Sequence, residues 1–523
     1  MTDFDVIVVG AGPVGLFLAA ELRLGGAKVL VLERDHDPVR PAKVGSMGAR
    51  ALNTPTVAAL ELRGLLSAVR RSALSWFGDT EPGDSPPPAP SQSDEPQQYA
   101  PTYVGHFAGI DIRLDRIEFD DPELAEAAAG GGVIAQQDLE NILAEHAVGL
   151  GVQIRRGVPV MSYTVDDDGV TVVAGEPIRA AWQVGCDGGR STVRKLGGFA
   201  FPGFDPLFTG RQALVELADS DLPVGVWRHS TAGSYVVGGW GNERASRIHT
   251  VEWTAPDDRY AEVTPEELQE SLCRVSGMDV RVRAVHAATR YADTTRQADT
   301  YRRGRVLLAG DAAHVHSPAG GQGLNLGIGD AMNLGWKLAA VARGLAPENL
   351  LDTYTAERHP IGAWVQNWTL AQTALTNPAE PRNEALRTVM ADLLDTPQGA
   401  TYVLKKITGT WQCYDLPGTH PLIGHRIPLL ALSDGTVLSD HSRDGRAILL
   451  DAMGVPALRE IAARWGDRIT LVTAKAVEYG DAQFAVFVRP DGHVAWVAEQ
   501  ESDVDGLAAV LTTWLGRAPI PAG

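Results

Sequence analysis

Cysteine is nearly absent from this chain of 523 residues: Cys186, Cys273 and Cys413 are the only three, and no two form a Cys-x-x-Cys pair. That spacing offers neither a zinc site nor a dithiol redox centre, and so low a count suits a reducing compartment. Apolar runs long enough for a membrane span are also missing. Bases are few beside acids, 46 Lys and Arg against 65 Asp and Glu, for a net charge of −19. Gripping nucleic acid needs a basic face, so nucleic acid is not an expected partner. The opening MTDFDVIVVGAGPVG carries acids where a secretory leader carries bases, and it runs straight into a strand pattern. A soluble, cytoplasmic protein is expected. There is no G-x-S-x-G nucleophile elbow either, which removes one common hydrolase signal.

What is present is 44% hydrophobic residues, enough core for two or three domains. The strongest local signal is DVIVVGAGPVGLFLAAELRLGGAKVLVLERD. Asp5 to Val9 is a short β-branched run and reads as a buried strand; Leu16 to Leu24 reads as helix, stopped by Gly25 and Gly26; Val29 to Leu32 reads as the next strand, ended by Glu33. Between strand and helix stand Gly10, Gly12 and Gly15, the G-x-G-x-x-G spacing. The first glycine permits a tight turn, the second lets backbone approach a pyrophosphate, and the third lets helix pack on strand. The helix start then faces the phosphates, and Glu33 is placed to accept from ribose hydroxyls. This fingerprint does not separate NAD from FAD.

Two later segments repeat the pattern. AWQVGCDGGRSTVRKLGG is a strand, then Asp187-Gly188, then a helix start at Ser191, with Arg190 and Arg194 beside it. Arg305 to Ala309 reads as a strand closed by Gly310-Asp311; Ala319 to Gly323 reads as a flexible glycine loop, and Asp330 to Val341 as helix. An acid at a strand end can bind a ribose or ribitol hydroxyl, and a glycine loop entering a helix offers N–H groups to an anionic edge. One such unit holds only half of a dinucleotide, so the later set is expected to hold the other end of the same cofactor.

These segments, in this order, resemble the class A flavin-dependent monooxygenases, and most closely the aromatic polyketide hydroxylases. The likeness rests on GAGPVG with Glu33-Arg34, GCDGGRSTVRK, TTRQADTYRRGR, RVLLAGDAAHVHSPAGGQGLNLGIGDAMNLGWKL, LLDTYTAERHPIG, and GHRIPLLAL with RPDGHVAWV near the end. It implies a para-hydroxybenzoate hydroxylase-like α/β fold in three parts. Residues 1–77, 126–198 and 286–395 would form a Rossmann-like FAD-binding domain. Residues 78–125 and 199–285 would form an α+β substrate domain on an antiparallel sheet, with a Pro/Ser-rich loop at 78–103. Residues 396–523 would form a thioredoxin-like domain without Cys-x-x-Cys, suited to a structural or dimerising role.

By the same resemblance, Gly10, Gly12, Pro13, Gly15, Glu33 and Arg34 belong to the adenosine and pyrophosphate end of FAD. Arg50 and Gln136 would contact its middle, Asp187 belongs to the motif serving FAD and NADPH together, and Asp311 would contact the ribitol or pyrophosphate. Pro318, Gly321, Gln322, Gly323, Leu324 and Asn325 would line the isoalloxazine. The stretch from Arg34 to Leu66, with Pro38, Pro41 and Pro55, is longer than the family pattern. The implied reaction takes NADPH or NADH, O2 and a polycyclic aromatic substrate, and hydroxylates it through a flavin C4a-hydroperoxide. No catalytic side chain and no metal is assigned.

For the substrate wall, Trp227, Tyr235, Trp240 and Trp253 fall on alternating strands of the middle region, where rings suit a flat ligand. His314 and His316 are expected to buttress the flavin turn, because two histidines on a loop lack further ligands. Other readings of the same scaffold are a Baeyer–Villiger oxygenase acting on a polyketide ketone, a hydroxylase that inactivates an antibiotic, and an FAD-binding protein that holds an unstable intermediate without oxygenating it. An NAD-dependent dehydrogenase would leave the Asp311 segment without a purpose.

Overall fold

The computed structural model describes residues 3–77, 103–121, 124, 130–218, 221–225, 227–238, 245–256, 258, 261–318, 320–377, 380–480 and 482–518. Trp240, Ala319 and the expected loop up to Thr102 therefore lie outside the described residues.

The β-branched opening run forms the strand Phe4–Val9 at the middle of a mostly parallel sheet. Val29–Glu33 and Gln153–Arg156 follow on one side of it, Glu176–Gly185 and Val306–Leu308 on the other, all parallel. Buried on both faces, these strands need no polar alternation, and they have little. Strand order reverses at Phe4–Val9, and a crevice outside the carboxyl ends of the strands is where such sheets bind ligands. The register makes this concrete. Val9 pairs with Gly185 and Gly185 with Leu308, so the three glycine turns that follow leave the sheet side by side.

Two helices cover one face, Pro13–Leu24 and Gln322–Ala342. The second starts eight residues before the Asp330 expected from sequence. Gly323, Gly327 and Gly329 weaken the helical pattern, but they serve packing: a Cβ on Gly327 would fall 2.5 Å from the Val14 side chain. The same close crossing recurs where Gly335 meets Glu21.

The middle region is a five-stranded antiparallel sheet in the order Arg228–Ser230, Gly233–Gly238, Ser246–Glu252, Thr209–Leu217, Val282–Ala292. The amphipathic helix Pro265–Ser276 covers one face with Leu268, Leu272 and Val275. The C-terminal sheet runs Ile469–Val472, Ala447–Asp451, Ala485–Val488, Val494–Ala498, with only the first pair parallel. Within it, QFAVFVRPDGHVAWVA forms a hairpin turning at Pro490 to Gly492.

Buried ion pairs join this C-terminal region to the cofactor helices. Arg489 donates to both Glu357 oxygens at 3.0 and 2.8 Å, and Lys337 donates to Glu357 at 2.9 Å. Arg63 grips Glu21 with two bonds of 2.6 and 2.7 Å and reaches the carbonyls of Ser442 and Pro490. No helix among the described residues is long and apolar enough to cross a membrane.

Candidate active site

The three turns at the sheet edge open onto one cavity of about 730 Å³. At one end lie Gly12, Pro13, Arg50, Gln136, Asp311, Pro318, and Gly320 to Leu324. Gly12 is the N-cap of Pro13–Leu24 and Gly321 that of Gln322–Ala342, and neither helix start is closed by a side chain. Two uncapped helix starts leave N–H groups and partial positive charge at the cavity, the requirement of a pyrophosphate or an anionic ring edge. Gly12 adds the close approach: a Cβ there would meet no protein atom within 4 Å and would project into free space. Gly10, at φ +107, packs instead on the Cys186 carbonyl, and a Cβ on Gly15 would strike the Gly10 carbonyl. These features fit FAD.

Side chains hold the turns together. Asp330, fully buried, accepts from the Gly310 N–H at 3.0 Å, from His314 Nε2 at 2.7 Å and from Arg358 Nε at 2.9 Å. Burial would raise its pKa, but His314 and Arg358 hold it below the usual carboxylate value. His314 thus buttresses the Asp311 turn from beneath. His316 lines the cavity and donates its Nδ1 proton to the Ser317 carbonyl at 2.7 Å; burial keeps the ring neutral, so Nε2 is an acceptor beside Gly323. Arg194, read from sequence only as part of a basic pair beside a turn, is buried. It donates to the carbonyls of Ala312 and Gly189 at 2.9 Å each and clips one turn to the next.

Four residues expected at the cofactor, Glu33, Arg34, Asp187 and Asn325, do not line this cavity. Glu33 accepts from the N–H groups of Ala11 at 2.7 Å and Asp35 at 2.9 Å, and so shapes the first turn. Asp187 accepts from the N–H groups of Thr192 at 2.6 Å and Val193 at 3.2 Å. Burial raises its pKa, with Ser191 and the backbone donors working against that. Asn325 binds the Ala51 and Gly321 carbonyls and the Asn53 N–H, tying the helix start to the strand Ala49–Leu52 that carries Arg50. Arg34 is exposed and stands 3.8 Å from Asp35. The long stretch before Arg50 is pinned from the other side, where Arg247 donates to the Ser46 carbonyl and Gln212 to the Met47 carbonyl.

The far end of the cavity is the uncovered face of the antiparallel sheet. Strand register decides which rings reach it. His249 lies opposite Gln212, which lies opposite Thr289; Val251 lies opposite Gly210, which lies opposite Tyr291. Those rows face the cavity, with Trp253 two residues on and with Trp227 and Phe208 beside them. Glycine at 210 makes room for Tyr291, whose ring lies 2.2 Å from where a Cβ would stand. The rings follow one another, the first pair tilted and the rest edge-on: Trp227 to His249 at 6.0 Å, His249 to Tyr291 at 6.1 Å, Tyr291 to Phe208 at 6.2 Å, Phe208 to Trp253 at 5.5 Å. Burial, with Arg247 and Arg50 nearby, pushes His249 down to about 3, so its ring is neutral.

Tyr235 is a correction. It lies opposite Thr250, on the rows that face the helix Pro265–Ser276, and it sits in that core 6% exposed. His249, Tyr291 and Phe208 were missed. Stepping by two from Trp253 would have found His249, while Tyr291 and Phe208 needed the register.

The FAD binding domain family matches residues 3–369, and the family described as aromatic-ring hydroxylase, C-terminal, matches residues 420–518. The chain is an FAD-dependent aromatic-ring hydroxylase by family. Relatives of this hydroxylase match end to end. The 12-dehydrotetracycline 5-monooxygenase/anhydrotetracycline 6-monooxygenase of Streptomyces rimosus is 39% identical over 98% of this chain and 99% of its own. The rifampicin monooxygenase of Streptomyces venezuelae is 39% identical over the same shares. Among solved structures, the anhydrotetracycline hydroxylase from Streptomyces rimosus superposes with a TM-score of 0.84 at 38% identity, over 99% of this chain and 100% of that one. The chain is thus a flavoprotein monooxygenase with the para-hydroxybenzoate hydroxylase-like fold.

Proposed function

We propose that this monooxygenase hydroxylates a polycyclic aromatic polyketide, in the making or modification of an antibiotic-like metabolite, with NADPH or NADH and O2 as co-substrates. The observation that carries the substrate class is the single cavity, with two uncapped helix starts at one end and a wall of five rings at the other. The names of the relatives, monooxygenases of 12-dehydrotetracycline, anhydrotetracycline and rifampicin, support the same class.

When bound, FAD supplies the redox chemistry that divides O2 between product and water, the nicotinamide providing the electrons. The residues of this chain bind, orient and exclude water. In this proposal the backbone at Gly12 and Pro13 receives the pyrophosphate, and Glu33 keeps lone pairs for ribose hydroxyls beyond the two backbone bonds it accepts. Asp311 takes a hydroxyl of the ribitol, Arg50 and Gln136 face the middle of the cofactor, and Gly321 to Leu324 offer N–H groups to the flavin ring. Trp227, His249, Tyr291, Phe208 and Trp253 hold a flat substrate by stacking and edge contacts, each aromatic pair contributing about 0.5–1.5 kcal/mol beyond area. Neutral His249 offers hydrogen bonding to a substrate hydroxyl and carries no charge of its own. The division into 1–77, 126–198 and 286–395 for FAD, 78–125 and 199–285 for substrate, and 396–523 for a thioredoxin-like unit belongs to this proposal, as do a homodimer and a cytoplasmic location.

The test is anaerobic. The holoenzyme is mixed with NADPH or NADH, and flavin bleaching is followed with and without a panel of hydroxylated anthraquinones and angucyclinones. Faster bleaching with one of them is expected. No bleaching under any condition contradicts the proposal and favours a protein that holds an intermediate without oxygenating it.

A further inference from the structure

The strands Tyr103–Phe107 and Ile110–Arg113 form a hairpin whose turn reaches the cavity. Phe107 pairs with Ile110, and the two residues between them, Ala108 and Gly109, line the cavity wall. Both have positive φ, 54 and 72, the backbone of a two-residue hairpin turn. Arg387 donates to the Ala108 carbonyl and holds the turn in place. Glycine at the second position lets the turn come down on Arg228–Ser230, the edge strand of the antiparallel sheet. A Cβ on Gly109 would stand 3.2 Å from His229 Nε2 and 3.6 Å from Arg387 Nη2.

Two histidines meet at this turn. The Gly109 N–H donates to His106 Nδ1 at 3.2 Å. His229 lies directly across from Ser234 in the strand register, with its Nδ1 2.8 Å from Ser234 Oγ. His106, His229 and Ser234 all line the cavity, as does Trp227 two residues before His229. Burial lowers the pKa of His106, with Asp111 opposing and Arg387 adding to the fall. Burial, then Arg387 and His106, take His229 down to about 4. Both rings are therefore neutral at neutral pH, and a neutral imidazole carries a single proton. Because His106 Nδ1 accepts from backbone, the His106 proton stands on Nε2. His229 is adjustable: when the Ser234 hydroxyl donates to its Nδ1, its Nε2 is a donor as well. Neither Nε2 has a hydrogen-bond partner among the described residues. An N–H without an acceptor in a half-closed site carries a cost that a ligand oxygen removes.

We infer that His106 and His229 form a polar subsite for a carbonyl oxygen on the substrate's ring system, as in a quinone or an aryl ketone, each ring donating one hydrogen bond from Nε2. A carbonyl oxygen has two lone pairs, no proton and no charge, and so matches two neutral donors. This rests on the polycyclic substrate reading above and narrows it: the ring system carries a carbonyl on the edge that meets the hairpin turn.

The test measures binding to the oxidised holoenzyme without NADPH, by quenching of tryptophan fluorescence. The probes are a dihydroxyanthraquinone and the dihydroxyanthracene with the same hydroxyl positions, which lacks the two carbonyls. Wild type is compared with His106→Phe, His229→Phe and His106→Gln at matched FAD content. Phenylalanine keeps a ring and removes the donor, whereas glutamine keeps a donor. Each phenylalanine variant is expected to bind the anthraquinone about three- to tenfold more weakly, the range of one neutral hydrogen bond, and to bind the anthracene as wild type does. His106→Gln is expected to recover most of the loss. Equal weakening for both probes overturns the inference, because it marks lost packing and no carbonyl recognition. Unchanged anthraquinone binding in both phenylalanine variants overturns it as well. Wild type that binds neither probe contradicts the polycyclic substrate class and takes the subsite with it. If wild type binds the probes but NADPH never bleaches its flavin, only the oxygenation reading fails, and the comparison of probes still decides the subsite.

Discussion

Asp311 stands on the cavity wall at the end of its strand, and its charge is felt at Arg50, where it works against the fall in pKa that burial imposes. Its carboxylate is the only one on that wall among the described residues. Asp311→Ala should therefore weaken FAD binding by about ten- to a hundredfold, the range of one hydrogen bond to a charged group. A fluorescence titration with FAD that finds unchanged affinity would contradict that role. At this scale the sequence was legible where chemistry and backbone coincide. Gly12 and Asp311 could be placed at the cavity because a turn must follow a strand there. Arg194 and Asn325 could not, since what they do is bridge backbone carbonyls of other segments, Asn325 across 274 residues of sequence.

The antiparallel sheet carries the next prediction. Cross-strand register sorts its rings into a cavity row and a core row, and one residue of slip would exchange them. Tyr235→Ala should lower stability by about 3–5 kcal/mol while leaving substrate KM near wild type. Trp253→Ala should raise KM with a much smaller effect on unfolding. Denaturant melts and steady-state kinetics on both variants check this, and a KM effect confined to Tyr235→Ala would reverse the assigned faces. The alternating pattern in the sequence revealed that strands were present. It did not reveal which parity faced the ligand, because both faces carry aromatic residues. The helix Gln322–Ala342 was legible only in its second half, since its first half spends glycines on crossing Pro13–Leu24 closely.

Across the whole molecule, Glu357 joins the helix Asp352–Thr376 to Arg489 in the C-terminal region, 132 residues away. Burial works to raise its carboxyl pKa, yet Arg489 and Lys337 hold it down at about 2, below an ordinary value of 4.5. A carboxylate depressed in the folded state stabilises above its unfolded pKa and loses that contribution as pH falls through the folded one. Wild type should therefore lose stability between pH 4.5 and about 2 more steeply than Glu357→Gln, and denaturant melts across that window check it. At neutral pH the variant should be less stable by about 3–5 kcal/mol, because Lys337 would be left buried without a carboxylate and Arg489 would keep only Asp491. No local pattern announces such a pair. The mixed α/β fold itself was readable, because glycine turns and β-branched runs punctuate the chain in the order the sheet uses them.

The joining of cofactor and aromatic ligand in one cavity is tested most directly by tracing oxygen. The holoenzyme is supplied with NADPH, isotopically heavy O2 and the polyhydroxylated aromatic that bleaches its flavin fastest, and the product is weighed by mass spectrometry. One heavy oxygen atom bonded to an aromatic carbon is the expected result. A product carrying no heavy oxygen, from a yellow and folded protein, would contradict it.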